Sequence, residues 1–429
     1  MAGNFIYRRL YFHLKAHLES SEISLILGPR QSGKTTILEK LRDDLQNTGK
    51  QTVFLNLDII EDRQWFSSQH ALIELVERRI GPGRAVVFID EISRLENAGL
   101  FLKGLYDLKS GHKFVVTGSG SLELKSNIIE PLTGRKQTFY CYPLSFTEFV
   151  AYKLGLETAD FDEEYSKVTR ELATQPLKRQ RLVDEYVNFG GYPGVVLAQT
   201  EEEKNRILRE VYLSYLEKDI GLLLHVEKEQ AFGNLVKILA SQTGNLINRA
   251  ELSATLGVSE KTVERYLYLL EKTFVIDVVR PFYRNARKEL VKSPKIYFVD
   301  LGFLYMAQGV LPTIQRRPVG NVFENACYLR IKELDFVRPA QFWRTKSGAE
   351  VDFVVVSPRT GNLIPVEVKM SSKGTFGKSL ISFIRAYQPE VGYIYFQSGE
   401  EKGSGKTYGK TDIKFMPYHY LPEKVVMYE

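Results

Sequence analysis

The chain has 429 residues, more than one ordinary hydrophobic core accommodates, so we expect two to four domains. Its hydrophobic fraction of 44% and charged fraction of 26% are those of a soluble globular protein. The net charge of +6 permits a nucleic-acid partner without requiring one.

The cysteine content and the hydropathy pattern predict the compartment. The two cysteines, Cys141 and Cys327, are too few and too far apart for a disulfide framework or a cysteine metal cluster, which suits a reducing cytoplasm. No apolar run approaches the roughly 18 residues of a membrane helix, and Met1 to Ser20 lacks the apolar region of a signal peptide. We therefore expect a cytoplasmic protein without membrane contact.

The first chemical motif is the segment G-P-R-Q-S-G-K-T, which fits the phosphate-binding pattern G-x-x-x-x-G-K-[ST]. An apolar run, Ile23 to Leu27, precedes it, and a helical pattern, Thr36 to Leu45, follows. Lys34 is expected to reach the β- and γ-phosphates of ATP, and the Thr35 hydroxyl to bind Mg²⁺. The alternative is a glycine-rich turn that matches by chance. The predicted nucleotide-binding residues are Gly28, Pro29, Arg30, Gln31, Ser32, Gly33, Lys34, Thr35 and Thr36.

Four apolar runs in the first third of the chain alternate with helical patterns, which predicts a doubly wound parallel α/β sheet of the P-loop NTPase class. They are Ile23–Gly28, Thr52–Asp58, Ala85–Asp90 and Lys113–Gly118. Ligands of such sheets bind beyond the carboxyl ends of the strands.

Polar residues at two of these strand ends are candidates for catalysis. Asp90 is expected to hold Mg²⁺ through water, and Glu91 to act as the general base on an attacking water. Thr117 and Ser119 are candidate sensors of the γ-phosphate or of that water. The alternatives are a pair of acidic helix caps for Asp90 and Glu91, and a Ser/Gly turn for Thr117 and Ser119.

The middle of the chain is helical from Ser145 to about Leu224, interrupted by the turn or hinge G-G-Y-P at residues 190–193. Asn248 to Leu270 then reads as a helix-turn-helix, and Phe274 to Pro281 as the start of a wing. The residues that follow, Arg280 to Lys295, are rich in arginine and lysine and suit DNA phosphate contacts. A protein–protein module is the alternative.

The last third holds two strand patterns, E-V-D-F at 350–353 and P-V-E-V-K at 365–369. Glu367 and Lys369 share a strand face, and pairing of the two strands brings Asp352 beside them. This D…E-x-K arrangement is similar to the PD-(D/E)xK nuclease fold, in which the carboxylates hold Mg²⁺ or Mn²⁺ and the lysine orients the attacking water. Glu324 on the preceding helix matches that fold's additional carboxylate. The alternative is an ion-paired structural cluster.

The motifs and their order resemble the AAA-type ATPases of bacteria and archaea that carry a C-terminal domain of unknown function (DUF4143-like). The matching segments include G-P-R-Q-S-G-K-T-T, F-L-N-L-D, V-F-I-D-E-I, V-T-G-S, L-T-G-R, G-G-Y-P, Y-L-E-K-D-I and G-N-V-F-E-N. The resemblance implies that Asp90 and Glu91 form the Walker B pair and that the helical region is a lid. It also implies that Arg135 senses nucleotide, in cis or from a neighbouring subunit of a homo-oligomer. A surface ion pair is the alternative for Arg135.

Together these patterns predict four domains and an ATP-dependent activity. We expect an ATP-binding domain at 1–144, a helical lid at 145–235, a winged helix at 236–295 and a nuclease-like α/β domain at 296–429. The predicted function is Mg-ATP hydrolysis coupled to movement on DNA or to its cleavage. The alternative is a nucleotide-dependent switch or scaffold whose C-terminal domain binds a protein or nucleic-acid partner without cutting.

Overall fold

The computed structural model describes residues 5–81, 83–119, 132–217, 228–282, 293–334, 339–357, 360–372, 374–399 and 405–420. Its first part is a five-stranded parallel sheet in the order β2-β3-β4-β1-β5. The strands are β1 Ile23–Gly28, β2 Thr52–Asn56, β3 Val86–Asp90, β4 Lys113–Ser119 and β5 Lys136–Tyr140. The helices around the sheet are α1 Arg9–His17, α2 Lys34–Asn47, α3 Ile60–Arg63, α4 Gln69–Ile80 and α5 Ala98–Asp107.

Both faces of this sheet are covered, as a doubly wound arrangement requires. Successive residues of β1 face opposite sides, so Leu25 and Leu27 pack in one buried cluster and Ile26 in another. The fold class predicted from the alternating runs is therefore confirmed. Strand β5 was not predicted, because K-Q-T-F-Y is a half-exposed edge strand without a continuous apolar run.

The middle region is helical, as the apolar spacing predicts. Its helices are α6 Phe146–Leu154, α7 Phe161–Thr174, α8 Pro176–Phe189, α9 Pro193–Leu197, α10 Glu201–Ser214 and α11 Glu229–Ser241. Helix α6 begins with a capping box, in which the Ser145 hydroxyl accepts a hydrogen bond from the Glu148 N–H and the Glu148 carboxylate accepts one from the Ser145 N–H. The G-G-Y-P segment forms the turn between α8 and α9.

Two helices joined by a tight turn follow, α12 Arg249–Leu256 and α13 Glu260–Lys272. Gly257 ends α12 in the left-handed conformation, and the Ser259 hydroxyl accepts from the Thr262 N–H at 3.1 Å to begin α13. Strands β6 Ile276–Val279 and β7 Lys295–Phe298 then pair antiparallel. Four members of the predicted basic strip, Arg284, Arg287, Lys288 and Lys292, lie outside the described residues.

The last part combines helices with a six-stranded mixed sheet in the order β12-β13-β11-β10-β9-β8. Strands β9 and β10 form the predicted antiparallel hairpin, and α16 crosses over so that β11 runs parallel to β10. The elements are α14 Leu301–Ala307, α15 Gly320–Lys332, β8 Gln341–Arg344, β9 Glu350–Val356, β10 Leu363–Ser372, α16 Lys378–Tyr387, β11 Val391–Gly399, β12 Lys406–Tyr408 and β13 Thr411–Pro417.

The largest hydrophobic core of the described residues is shared by helices α6 to α11, which are the predicted lid, by the helix-turn-helix and by the C-terminal part. Phe146, Leu270, Phe323 and Tyr418 all belong to it and are buried. The predicted domain boundaries at 144, 235 and 295 remain predictions. Within the described residues, no helix combines the length and the apolar character that a membrane span requires.

Candidate nucleotide site and C-terminal carboxylate cluster

The nucleotide loop, residues 28–35, connects the end of β1 with the start of α2. A side chain at Gly28 would place its Cβ 2.2 Å from the carbonyl oxygen of Cys141, so the strand tolerates only glycine there. Gln31 and Gly33 have φ angles of +59° and +92°, which turn the loop around before α2 begins at Lys34. The loop geometry therefore follows from close backbone packing as much as from glycine flexibility.

Lys34 is buried inside this loop. Its Nζ donates to the carbonyl oxygens of Gly28 and Pro29 at 3.1 and 2.8 Å. Burial lowers the pKa of Lys34, because it removes water from the ammonium, and the nearby carboxylates of Glu91 and Asp90 oppose part of that shift. The ammonium of Lys34 is thus buried, and the two groups that accept its hydrogen bonds are neutral carbonyl oxygens.

The ends of β3 and β4 bring four more predicted residues to the same edge of the sheet. The Asp90 carboxylate accepts from the Thr35 hydroxyl at 2.8 Å and from the Thr117 hydroxyl. Thr117 in turn accepts from the Glu91 N–H at 2.9 Å. Strand β4 lies between β1 and β3, so Thr117 can reach both acidic residues.

Glu91 has a φ of +55°, a left-handed conformation that a non-glycine residue adopts at a cost. Its carboxylate accepts from the Ser93 hydroxyl at 3.0 Å. Ser119 is buried, and its hydroxyl lies 3.5 Å from the Ser93 hydroxyl. Ser119 is thus connected to Glu91 through Ser93, whereas Thr117 bonds directly to the Glu91 N–H. Of the remaining loop residues, Pro29 and Ser32 are buried and Thr36 is exposed on α2.

Arg8 completes the site, and the motif search did not find it. Its guanidinium donates to the carbonyl oxygens of Ser32, at 3.1 Å, and Tyr142, at 2.6 Å, and pairs with Glu148 at 3.5 Å. Arg8 is 6% exposed although it precedes the first helix. The signal in the sequence is an arginine within the aromatic segment F-I-Y-R-R-L, where a charge needs partners to be buried.

Arg135 lies at the opposite end of the sheet from the nucleotide loop. Its carbonyl oxygen accepts from the N–H of Ile23, the first residue of β1, whereas the nucleotide loop follows the last residue, about 17 Å away for a six-residue strand. The guanidinium pairs with Asp107 at 2.8 Å. The structure thus shows Arg135 in a surface ion pair, and nucleotide sensing by Arg135, in cis or toward a neighbouring subunit, remains a prediction.

The G-G-Y-P turn lies beside the nucleotide loop. A Cβ at Gly33 would be 3.6 Å from the Pro193 side chain. The Gly191 N–H donates to the carboxylate of Asp300 at 2.7 Å, and that carboxylate also accepts from the Phe303 N–H at 2.9 Å. Burial raises the pKa of Asp300 to about 6, against the opposing effect of these N–H groups. Asp300 thus ties the turn to the start of α14.

The C-terminal carboxylates also come together as the hairpin predicts. Val366 pairs with Phe353, so Glu367 and Asp352 follow as neighbours, and the Asp352 carboxylate accepts from the Val368 N–H at 2.7 Å. Glu367 is buried, and its Oε2 lies 3.3 Å from the ammonium of Lys369. We call Glu324, Glu350, Asp352 and Glu367 the carboxylate cluster.

Lys295 ends the basic segment Arg280 to Lys295 that was predicted to contact DNA, but in the structure it lies in this cluster. Its Nζ is 3.1 Å from Glu324 and 2.7 Å from Glu350. The Tyr297 hydroxyl donates to Glu324 as well. Burial and the charge of Glu324 raise the pKa of Asp352 to about 7, and Lys295 acts in the opposite direction.

This arrangement does not fit the predicted divalent metal. Glu324, Asp352 and Glu367 were predicted to hold Mg²⁺ or Mn²⁺, but in the described part of the chain no three such side chains form a metal-binding group. Glu324 instead binds an ammonium and a tyrosine hydroxyl, and Asp352 a backbone N–H. The metal site remains a prediction, and the structure weighs against it at Glu324, whose carboxylate is already paired with the ammonium of Lys295.

Three family models match successive parts of the chain. Residues 20–150 match a model described as an AAA domain. Residues 180–313 match a domain of unknown function, DUF8612, and residues 319–420 match another, DUF4143.

Similar proteins come from distant organisms. An uncharacterised protein of Haemophilus influenzae is 28% identical over 297 residues, which are 67% of this chain and 69% of that protein. An uncharacterised protein of Mycobacterium tuberculosis is 26% identical over 375 residues, 86% of this chain and 75% of that protein. Among solved structures, Cdc6p from Pyrobaculum aerophilum aligns with 72% of this chain and 95% of its own at 14% identity. The TM-score of 0.27 is too low to establish a shared overall arrangement.

Proposed function

Because this chain belongs to the AAA-type P-loop ATPases that carry a C-terminal domain of unknown function, we propose that it hydrolyses Mg-ATP at the nucleotide loop and acts on DNA. The observation that carries the proposal is the convergence of Lys34, Thr35, Asp90, Glu91 and Thr117 at one edge of the sheet. A lysine charge, a metal-binding hydroxyl and two carboxylates are the groups that phosphoryl transfer to water requires.

Each of these side chains has a distinct role in the proposed reaction. Bound ATP supplies the phosphoryl group, and its Mg²⁺ neutralises charge on the phosphates. Lys34 exchanges its two carbonyl acceptors for phosphate oxygens, since bonds between charged partners are stronger. Thr35 and Asp90, 2.8 Å apart, hold the metal position. Glu91 takes the proton from water, and Thr117 fixes the backbone of Glu91 against Asp90.

The decisive variant is Glu91→Gln, which preserves the shape of the side chain and removes the base. We expect ATP binding to persist while turnover falls roughly a hundredfold or more. Lys34→Ala is the matched control and should lose tight ATP binding with the fold intact. Phosphate release and calorimetric titration measure the two quantities. Turnover near the wild-type rate in Glu91→Gln would move the base to another residue.

For DNA, the supporting feature is the exposed face of α13. Lys261, Arg265 and Tyr268 are exposed on it, and the acidic Glu264 is paired with Arg249 at 3.1 Å. A second acid, Glu260, is exposed on the same helix, so the face carries two cations and two acids, one of which is neutralised. Neutralisation of Glu264 makes the face more suitable for phosphate contacts than four unpaired charges would be. Duplex DNA should stimulate ATP hydrolysis, and Lys261→Ala with Arg265→Ala should weaken binding and lower its salt dependence. Unchanged turnover with single-stranded, duplex and branched DNA would contradict DNA action.

The carboxylate cluster favours a second candidate function, a nucleotide-dependent switch whose C-terminal domain binds a partner without cleavage. Its support is that Lys295, rather than a metal, neutralises Glu324 and Glu350. If the protein is such a switch, ATP binding alone should change hydrogen exchange in α15 and β9. The Glu91→Gln variant, which binds ATP without turnover, should therefore show this change. Under the first proposal the change requires turnover.

A further inference from the structure

The ammonium of Lys295 lies between two acids of the carboxylate cluster. Its Nζ is 2.7 Å from Glu350 and 3.1 Å from Glu324, and the side chain is 3% exposed. The ring of Phe342, 5.5 Å away, adds a cation–π contact. A lysine is seldom buried to this extent unless its charge is fully compensated, so the position is specific rather than a surface pairing.

Each acid of the cluster lies beside a polar or charged group of the protein itself. Glu324 also accepts from the Tyr297 hydroxyl, and Glu350 also pairs with Arg344 at 3.2 Å. Asp352 accepts from the Val368 N–H at 2.7 Å. Glu367 Oε2 lies 3.3 Å from the ammonium of Lys369, but it accepts no hydrogen bond from the described residues. A divalent ion would have to displace these partners and would also lie close to the buried ammonium, which repels it.

Lys295 comes from a different element than the acids. It begins β7, which pairs with β6 next to the helix-turn-helix, whereas Glu324 lies on α15 and Glu350 and Asp352 lie on β9. The lysine therefore reaches the cluster only while β7 remains packed against α15 and β9. A displacement of β7 would take the ammonium away from Glu324 and Glu350, which are half-buried, and the uncompensated negative charge would then favour a divalent cation.

We propose that Lys295 is the built-in cation of the carboxylate cluster, so that the cluster needs no divalent metal while β7 is in place. In this conformation the domain is then not a metal-dependent nuclease. This inference does not depend on ATP hydrolysis, because none of its residues belongs to the nucleotide site.

The test is thermal unfolding of the full-length, nucleotide-free protein, treated with EDTA and then titrated with Mn²⁺. The wild type should show no Mn²⁺-dependent rise in melting temperature. Lys295→Met should unfold at lower temperature, and millimolar Mn²⁺ should restore several degrees, because ligand binding to the folded state stabilises it. Adding Asp352→Asn to Lys295→Met should abolish this restoration, which assigns the metal to the cluster and not to Asp90.

Two further variants keep the test decisive. Lys332→Met removes another lysine, paired with Asp277 at 2.7 Å, and should destabilise the protein without creating a response to Mn²⁺. Lys295→Arg keeps the charge and should remain unresponsive. Lys295→Gln also removes the charge but keeps a polar side chain, and it replaces Lys295→Met if the latter does not fold. Saturable Mn²⁺ stabilisation of the wild type that Asp352→Asn removes would overturn the proposal. So would a folded Lys295→Met that ignores Mn²⁺.

Discussion

Two consecutive arginines connect the nucleotide loop with the rest of the chain. Arg8 donates to Ser32 in the loop and pairs with Glu148 at the start of α6. Arg9 donates to the carbonyl oxygen of Glu333 at 3.2 Å, at the end of α15. Through their charge and their several N–H donors, the two arginines hold the nucleotide loop, the start of α6 and the end of α15 close to the start of α1.

Arg8→Ala should therefore weaken ATP binding without removing a group that touches the phosphates. Loss of the bond to Ser32 lets the loop adopt other shapes, and we expect about tenfold weaker binding, or about 1.4 kcal/mol. KM should rise more than kcat falls. Arg42→Ala, which breaks an exposed pair with Asp43, is the control, and equal KM values for both variants would refute the role of Arg8.

A second residue-scale prediction concerns Glu164, a buried acid on α7. Burial raises its pKa to about 8, from an ordinary value of 4.5, while a hydrogen bond from the Thr158 N–H opposes the shift. Because the folded pKa is above the unfolded one, the contribution of Glu164 to stability is present below pH 4.5. It is lost progressively as the pH rises toward 8.

Glu164→Gln should remove that dependence, since glutamine does not ionise. Its melting temperature relative to wild type should therefore increase between pH 5 and pH 8. Melting curves of both proteins across this range measure the difference. A difference that does not change with pH would show that the carboxyl is ionised in the folded protein throughout.

At the scale of elements, the G-G-Y-P turn is closely packed against other backbone, although most loops have space for a side chain at each position. A Cβ on Gly191 would lie 2.1 Å from the carbonyl oxygen of Leu144, which in turn precedes α6. A Cβ on Gly233, inside α11, would have no atom within 4 Å among the described residues apart from its chain neighbours and the backbone of its own helix. The two glycines therefore differ in physical role although both lie among helical segments.

Gly191→Ala should destabilise the lid, whereas Gly233→Ala should stabilise the protein by about 0.5 to 1 kcal/mol, the usual gain of alanine in a helix. Chemical unfolding followed by circular dichroism compares the two. Since Pro193 borders Gly33, Gly191→Ala should also weaken ATP binding. Equal and small effects of both substitutions would mean that the turn adapts.

At the scale of the whole molecule, a buried ion pair joins the lid to the C-terminal part. Arg330 and Glu333 are 2.6 Å apart and fully buried, and the Glu333 carboxylate accepts from the Phe146 and Thr147 N–H groups at the start of α6. Arg330 also donates to the Tyr418 carbonyl oxygen. The lid and the final strands consequently share one core, so we expect them to unfold together.

Arg330→Met leaves the Glu333 charge buried without its partner and should cost about 3 to 5 kcal/mol. Arg249→Met, which breaks the exposed pair with Glu264, should cost about 0 to 1 kcal/mol. Calorimetry should show the lid and C-terminal transitions shifted together in Arg330→Met. A shift confined to one of two separate transitions would contradict the shared core.

The sequence by itself determined the local chemistry of this protein. The loop pattern at 28–35, the acids after an apolar strand and the D…E-x-K hairpin each depend on neighbouring residues and on the fixed periods of strands and helices. The doubly wound sheet and the meeting of Asp352 with Glu367 could be predicted for that reason.

Only the tertiary structure decided which distant charges meet. Arg8 reaches the nucleotide loop, Arg135 moves to the far end of its sheet, and Lys295 enters a cluster of acids from another element. No local pattern encodes these pairings, because a buried charge takes its partner from whichever segment the folded core brings within about 4 Å. At the C-terminal site, the same packing places the ammonium of Lys295 beside Glu324, one of the residues predicted to bind a metal.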